Sequence, residues 1–117
     1  MGNEGSKKVA KGSLDNHLQT ASKTGALNLS RRKLEKIPPK LGQLCQNLRM
    51  LDLSFNAVVD ISVLGQLANL QKLNISNNKV TDLSHILRLQ KLKSLDASYN
   101  QIQIVPSIGT NIQWRIL

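Results

Sequence analysis

Three consecutive stretches of this 117-residue chain repeat one pattern with a period of 22 residues. They are LRMLDLSFNAVVDISVLGQLAN at 48–69, LQKLNISNNKVTDLSHILRLQK at 70–91 and LKSLDASYNQIQIVPSIGTNIQ at 92–113. A looser unit, TGALNLSRRKLEKIPPKLGQLCQN, occupies residues 24–47. A fixed period of this length indicates structural layers, each of which buries its apolar side only against its neighbours. The chain is therefore predicted to stack about four such layers.

Apolar residues and one asparagine recur at fixed places in each unit. The second unit carries Leu48, Leu51, Leu53, Asn56 and Val58 at these places. The third carries Leu70, Leu73, Ile75, Asn78 and Val80, and the fourth carries Leu92, Leu95, Ala97, Asn100 and Ile102. This spacing resembles the leucine-rich repeat pattern LxxLxLxxNxL. The resemblance implies an α/β solenoid with parallel β-strands on its concave face and short 3₁₀ or α turns on its convex face.

The recurring residue types suit a coil that closes on itself. In each LxL segment the apolar side chains lie on one side of a short strand, and parallel stacking buries them between layers. An asparagine amide can donate to and accept from backbone groups that a turn leaves unpaired. Serines recur two places upstream of these asparagines, at Ser30, Ser54, Ser76 and Ser98. Four serines in register favour a structural role over a catalytic one.

The segments that return from one strand to the next are too short for long helices. We expect one or two helical turns there, with Ile61, Leu64 and Leu67, and then Leu83, Ile86, Leu87 and Leu89, pointing inward. In the first unit Arg32 takes the asparagine place, which predicts a coil partly open to solvent. Pro38 and Pro39 favour an extended path over a helix in that unit.

A short helix is predicted over residues 13–24, before the repeats. Ser13 can cap its start, Leu14, Leu18 and Ala21 share one face, and Gly25 ends it. Terminal layers of a repeat stack need a cover against water, and this helix would supply it for the first layer. His17 and His85 are interpreted as surface histidines.

Composition excludes several classes of protein. No run approaches the roughly 20 apolar residues of a membrane-spanning helix, and a lone Cys45 fits a reducing cytosol. The chain has 16 Lys plus Arg against 7 Asp plus Glu, but its basic stretch lacks interleaved aromatic residues, so nucleic acid is an unfavoured partner. Nothing resembles a paired-carboxylate, Cys/His or phosphate-loop arrangement. The chain is therefore predicted not to be an enzyme, with no catalytic residue, metal site or cofactor.

The first residues, MGNEGS, match the acceptor pattern for N-myristoylation, with Gly2 as the acylated residue. Lys7, Lys8 and Lys11 follow in a segment without periodicity, so residues 1–12 are predicted to be a flexible basic arm. One myristoyl chain alone binds a bilayer weakly, and basic residues near an anionic leaflet strengthen the attachment. The arm is thus predicted to attach the chain to an inner-leaflet membrane surface; the alternative is a plain unmodified tail.

These features together resemble the leucine-rich repeat-containing protein fifty-seven family. The similarity rests on the myristoylation start and the segment TASKTGALNLSRRKLEKIP, and it covers residues 1 to about 60 best. From residue 48 onward the units with Asp60 to Ser62 and Asp82 to Ser84 look more like the 22-residue repeats of phosphatase-regulating leucine-rich proteins. The resemblance implies a lipid-anchored, membrane-associated cytoplasmic protein, and it implies neither a reaction nor a particular partner.

The outward strand positions of such a solenoid form columns on its concave face. One column is Ala26, Met50, Lys72 and Ser94, the next is Asn28, Asp52, Asn74 and Asp96, and a third is Arg31, Phe55, Asn77 and Tyr99. The predicted partner-binding residues are Met50, Asp52, Phe55, Lys72, Asn74, Asn77, Asp96 and Tyr99. We expect a membrane-tethered scaffold that binds another protein through this face. The alternative is a soluble regulatory adaptor of a phosphatase or cytoskeletal complex.

The 22-residue period places Trp114 on the first leucine place of a fifth unit and Leu117 on its fourth. On that register, WRIL opens a unit whose strand is cut short, so residues 25–117 would end without a cap. An uncovered end exposes apolar side chains and a strand edge. The sequence thus predicts a truncated form or fragment of a longer repeat protein that self-associates through this end.

Overall fold

The computed structural model describes residues 16–107 and 112–116. Residues 16–24 are helical (α1), and five short strands follow: β1 (Ala26–Asn28), β2 (Met50–Asp52), β3 (Lys72–Asn74), β4 (Ser94–Asp96) and β5 (Gln113–Arg115). Between strands lie α2 (Lys40–Leu44) and two 3₁₀ helices, Ser62–Gln66 and Ser84–Arg88. The strands form one sheet in the order β1 to β5, and α2 and the 3₁₀ helices contact one another in a second row. The predicted solenoid is confirmed.

All strand pairs are parallel, and their register follows the repeat. Leu27 pairs with Leu51, Leu51 with Leu73 and Leu73 with Leu95, so successive units are offset by 24, 22 and 22 residues. The side chains at these central positions are buried, whereas their strand neighbours are exposed or half-buried. This alternation places the leucines between the sheet and the helical row, as the LxL pattern predicts.

The fifth strand departs from the predicted register. Trp114 pairs with Leu95, which shortens the offset to 19 residues and puts Trp114 on the fourth place of its unit rather than the first. Gln113–Arg115 is therefore the strand itself, and the expectation of a unit cut before its strand is wrong. The backbone N–H of Ala97 donates to the Arg115 carbonyl over 2.7 Å. Residues 101–107 contain no helix, and an extended path covers a given distance in fewer residues than a 3₁₀ helix does.

The 3₁₀ helices bury one residue in three. Ile61, Leu64 and Leu67 are fully buried, and Leu83, Ile86 and Leu89 repeat this arrangement one unit later. Leu87, in contrast, is 57% exposed, so its predicted inward position is wrong. A 3₁₀ helix has three residues per turn, and the position after an inward residue therefore points away from the core.

The asparagine column joins each coil to the one before it. In Asn78 the side-chain oxygen accepts from Val58 N at 3.0 Å, and Nδ2 donates to the carbonyls of Leu53, Ile75 and Ser76 at 2.9 to 3.0 Å. Asn56 and Asn100 bridge their neighbouring coils in the same way. The predicted structural role of these asparagines is confirmed.

The first unit turns back through a helix rather than an extended segment. Pro39 stands at the start of α2 with φ −59° and ψ −29°, and Leu41 N donates to the Pro38 carbonyl. Proline has a φ near that of a helix and is tolerated in the first turn, so the expected extended path is wrong. Arg32 is exposed, as its place in the pattern predicts.

Helix α1 covers the first coil. Leu18 and Ala21 are buried in the common core, and Gly25 ends the helix with φ +81° while its N–H donates to the Ala21 carbonyl. The Cys45 thiol donates to the Leu18 carbonyl at 3.3 Å, and burial raises its pKa. Ser13 and Leu14 lie outside the described residues. Within the described part, no helix has the length and apolar character needed to cross a membrane.

Candidate functional site: the concave sheet face

The strand register aligns the predicted concave columns. Ala26, Met50, Lys72 and Ser94 are paired in succession, and Gln113 extends this first column onto β5. Asn28, Asp52, Asn74 and Asp96 form the second column, which Arg115 extends. A depression of about 530 Å³ lies over β1 to β3, between Met50, Asp52, Lys72 and Asn74. The sheet therefore presents a furrowed surface with side chains from several repeats.

The third column has a backbone conformation that is unusual for its residue types. Arg31, Phe55, Asn77 and Tyr99 have φ values of 57° to 58°, in the left-handed region. Few residues other than glycine adopt this region, and asparagine does so more readily than most. Each residue directly follows the serine of its unit, where the chain leaves the strand. The repeated turn holds two aromatic rings, those of Phe55 and Tyr99, in equivalent positions two units apart.

Phe55 and Tyr99 differ in what surrounds them. The Arg31 guanidinium carbon lies 4.0 Å from the centre of the Phe55 ring, a cation–π contact between adjacent coils. Phe55 remains 44% exposed and Tyr99 is 72% exposed. Met50 adds a third exposed apolar side chain on the same face, at 47%. Exposed apolar groups on a rigid sheet are suited to contact with another protein.

The side chains of the second column accept hydrogen bonds in the turn that follows each strand. Asp52 Oδ1 accepts from Ser54 N at 2.9 Å and from Ser54 Oγ at 2.6 Å. Asp96 makes the same two bonds with Ser98, and Asn74 Oδ1 accepts from Ser76 N at 3.0 Å. These three side chains are half-buried and stabilise the turn after each strand. That these residues bind a partner stays a prediction, and a substitution there is expected to alter the fold as well as the surface.

The two acidic residues of that column, Asp52 and Asp96, lie on strands that are not neighbours. Asn74 separates Asp52 from Asp96, and Arg115 lies beside Asp96 on the last strand. Like charges directly opposite each other on neighbouring strands destabilise a sheet, and opposite charges stabilise it.

Met50 and Lys72 line the depression over the sheet, and Phe55, Asn77 and Tyr99 occupy the left-handed position after each strand. That these residues bind a partner stays a prediction. Arg115 extends the second column, whereas Trp114 pairs with the buried Leu95 and so takes the inward position of its strand, with 37% of its surface exposed. The signal that would have found them is the motif WRI, an LxL equivalent that follows Leu95 by 19 residues. Gly2, Lys7, Lys8 and Lys11 lie outside the described residues. Among the described residues, no cluster of three or more His, Cys, Asp or Glu could hold a metal ion.

A family model described as leucine-rich repeats (2 copies) matches residues 46–88 and again residues 68–108. The two matches together span more than half of the chain. The chain belongs to the leucine-rich repeat family. Solenoids of this kind use their concave surfaces to bind other proteins. No curated protein sequence is similar enough to count as a match.

Two solved leucine-rich repeat structures from Listeria monocytogenes strain 4b F2365 are similar to this chain. Internalin C2 is 32% identical, with a TM-score of 0.60, over 72% of this chain and 38% of its own length. A second internalin, InlF, is 28% identical, with a TM-score of 0.50, over 59% of this chain and 19% of its own. The chain thus corresponds to less than half the length of each, and the similarity concerns the repeats.

Proposed function

We propose that this leucine-rich repeat chain binds a partner protein through its concave face. The observation that carries the proposal is the pair of exposed rings, Phe55 and Tyr99, at the same left-handed position of alternate repeats. Large aromatic side chains supply much of the binding energy of protein interfaces when a partner buries them. Met50, on the strand that precedes Phe55, adds an exposed and flexible apolar side chain.

Rigidity supports this role. The asparagine column and the in-register strands fix the spacing of the two rings before any partner arrives. Binding then costs little additional ordering of the backbone, and more of the contact energy appears as affinity. Lys72 and Arg31 lie on this face beside the apolar groups, and such charges favour one partner over others.

The test compares proteins captured by three immobilised forms of the chain. Phe55→Asn combined with Tyr99→Asn removes both rings and keeps the backbone, because Asn77 is the natural occupant of the same position with the same φ. Val59→Asn combined with Leu87→Asn removes two exposed apolar residues outside the concave columns. We expect proteins bound by the wild type to be retained by the control form and lost by the ring form. Capture that the ring form preserves, or that the control form abolishes, contradicts the proposal.

We also propose that Gly2 carries a myristoyl group and that Lys7, Lys8 and Lys11 strengthen membrane attachment in the cytoplasm. Support comes from the MGNEGS motif and from the resemblance to the leucine-rich repeat-containing protein fifty-seven family. Coexpression with an N-myristoyltransferase should add the mass of one myristoyl group to the N-terminal peptide, and Gly2→Ala should prevent both this and membrane partitioning. An unmodified peptide, or partitioning that Gly2→Ala leaves unchanged, favours a soluble adaptor instead.

A further inference from the structure

Two adjoining grooves run along the edge of the sheet at which the strands begin. The first extends from Lys23, at the end of α1, past Arg49 to Lys91. The second continues from Lys91 past Lys93 to Gln113, next to β5. Both are lined by Gln71 and Lys91, so they form one channel, the edge groove. It lies beside the concave columns but does not share their aromatic residues.

The edge groove carries charge of one sign. Lys23, Arg49, Lys91 and Lys93 are all exposed, and no acidic residue is among the described residues that line it. Asp60 and Asp82 instead lie just before the two 3₁₀ helices. A recess lined by charges of one sign concentrates its electric field and attracts ligands of the opposite sign.

Hydrogen bonds position one of these cations. The Lys91 ammonium donates to Asn69 Oδ1 at 2.8 Å, and Asn69 Nδ2 donates to the Gln46 carbonyl at 3.1 Å. The backbone N–H groups of Arg49, Gln71 and Lys93 already donate to carbonyls of the preceding coil at 2.8 Å. The groove therefore offers side chains, both cationic and amide, rather than an unpaired strand edge.

We propose that the edge groove binds an extended acidic peptide segment of the partner protein. This inference rests on the proposed protein-binding function and names a second surface for it. Four strand spacings, from the β1 to the β5 end of the groove, amount to about 19 Å, which about six extended residues can span. Lys and Arg pair with carboxylates, while the Asn47 and Gln71 amides that line the groove can donate to and accept from a peptide backbone.

The lining residues favour a peptide over two other polyanions. Proteins that bind single-stranded nucleic acid stack bases on aromatic side chains, and none is among the described residues that line the groove. A bilayer presents a broad surface, whereas these cations line a row of recesses along one edge of the sheet. An acidic segment that is continuous with the part of the partner on the concave face reaches this edge directly, since Lys72 is adjacent to Gln71.

The experiment titrates the isotope-labelled, unacylated full chain with a peptide of about six glutamates that is acetylated at its N-terminus and amidated at its C-terminus. Amide NMR spectra follow the chemical shifts of the protein. We expect shifts centred on the amides of Arg49, Gln71 and Lys93, and weaker binding as salt rises from about 0.1 M to about 1 M. Arg49→Glu combined with Lys93→Glu should weaken binding by about tenfold or more. The control, Lys36→Glu combined with Lys79→Glu, makes the same change in net charge outside the groove and should retain most of the affinity.

Several results would overturn the inference: no binding of the peptide, shifts located elsewhere, or equal weakening by the groove and control variants, which would indicate diffuse attraction to net charge. Binding of a uridine hexanucleotide or of phosphatidylserine vesicles through Arg49 and Lys93, without peptide binding, would assign the groove to another class of ligand and overturn it as well. Phe55→Asn combined with Tyr99→Asn should leave peptide binding unchanged. Failure of the edge groove is therefore distinguishable from failure of the concave face.

Discussion

The Arg31 guanidinium carbon lies 4.0 Å from the centre of the Phe55 ring. The two residues occupy the same place in consecutive units and have almost identical backbone angles, with φ of 57° and 58°. Because adjacent coils are parallel and in register, equivalent side chains lie one above the other. The contact orders the Phe55 ring while leaving it 44% exposed. Arg31, in the irregular first repeat, therefore positions one of the two rings of the proposed binding surface.

A double-mutant cycle tests that contact. Arg31→Asn, Phe55→Asn and the combined variant all retain a residue that tolerates the left-handed backbone. The free energies of unfolding in urea should give a coupling of about 0.5 to 1 kcal/mol, the usual size of an exposed cation–π interaction. The corresponding cycle between Arg31 and Tyr99, three units apart, should give a coupling near zero. Equal coupling in the two cycles would show that the ring contact is not its source.

Asn78→Ala should lower the free energy of unfolding by about 1 to 3 kcal/mol, because buried backbone groups of two coils lose their partner. Asn69→Ala is the matched control, since the hydrogen bonds of Asn69 are exposed. Its effect should stay within about 0.5 kcal/mol. Chemical denaturation monitored by circular dichroism measures both. A small effect of Asn78→Ala would mean that water or a shift of the coils replaces the amide.

Asp52→Ala should destabilise the fold, whereas Lys72→Ala on the neighbouring strand should not. The Asp52 side chain accepts two hydrogen bonds from Ser54, and removal of a charged acceptor typically costs about 1.5 to 3 kcal/mol when its bonds are part-buried. Lys72 is exposed, and we expect a change within about 0.5 kcal/mol. Comparison of the two thermal midpoints checks the prediction. Equal thermal midpoints would indicate that the Asp52 side chain does not stabilise the fold.

The repeat pattern was enough to predict strands β1 to β4, the asparagine column and the alignment of the first two columns along these strands. These features recur because the same backbone groups need burial or pairing in every coil. The residue pattern that predicts them is therefore repeated in each unit. The first and last described coils deviate from this pattern. There Arg32 replaces an asparagine, and the 22-residue period gives way to an offset of 19 residues at Trp114.

Three local features could not be predicted from the sequence. Leu87 fits a helical pattern of apolar residues, but the return segment winds with three residues per turn and exposes it. The positive φ of the left-handed column could not be predicted, because Arg31, Phe55 and Tyr99 are residue types that rarely adopt it. Only Asn77 is a residue type that commonly does. Asp52, Asn74 and Asp96 appear as surface residues in an alternating strand, although their serine partners two places on indicate a turn.

Residues of the left-handed column have positive φ, so glycine should be more stable than alanine there, the reverse of the order in a helix. At position 99, Tyr99→Gly should be more stable than Tyr99→Ala by about 1 kcal/mol, because a β-carbon is disfavoured at φ 57°. In α1, Gln19→Gly should instead be less stable than Gln19→Ala by about 1 kcal/mol. Urea denaturation of the four variants gives both differences. The same order at both positions would contradict the assigned backbone at Tyr99.

Two acidic turns before the 3₁₀ helices should make stability depend on pH. The Ser62 backbone N–H donates to Asp60 Oδ1 at 2.8 Å, and this bond, with one from the Ser62 hydroxyl, lowers the pKa of Asp60 below its ordinary value of 3.8. Hydrogen bonds from the Ser84 side chain and backbone lower the pKa of Asp82 in the same way. A lowered pKa means that the folded state holds fewer protons than the unfolded state just below the ordinary value, so protonation favours unfolding there.

The free energy of unfolding should accordingly fall as the pH drops from about 5 to about 2.5, and the stabilisation from these turns should be complete at higher pH. Asp60→Asn combined with Asp82→Asn should reduce this loss, because an amide oxygen still accepts the bond, as Asn28 and Asn74 do in equivalent turns, but does not titrate. Lys79→Gln, a neutralising change outside both turns, serves as the control and should leave the difference between wild type and double variant intact. Urea midpoints measured across the pH range provide the comparison. If the double variant loses as much stability in acid as the wild type does, the two carboxylates are not the groups that link folding to pH.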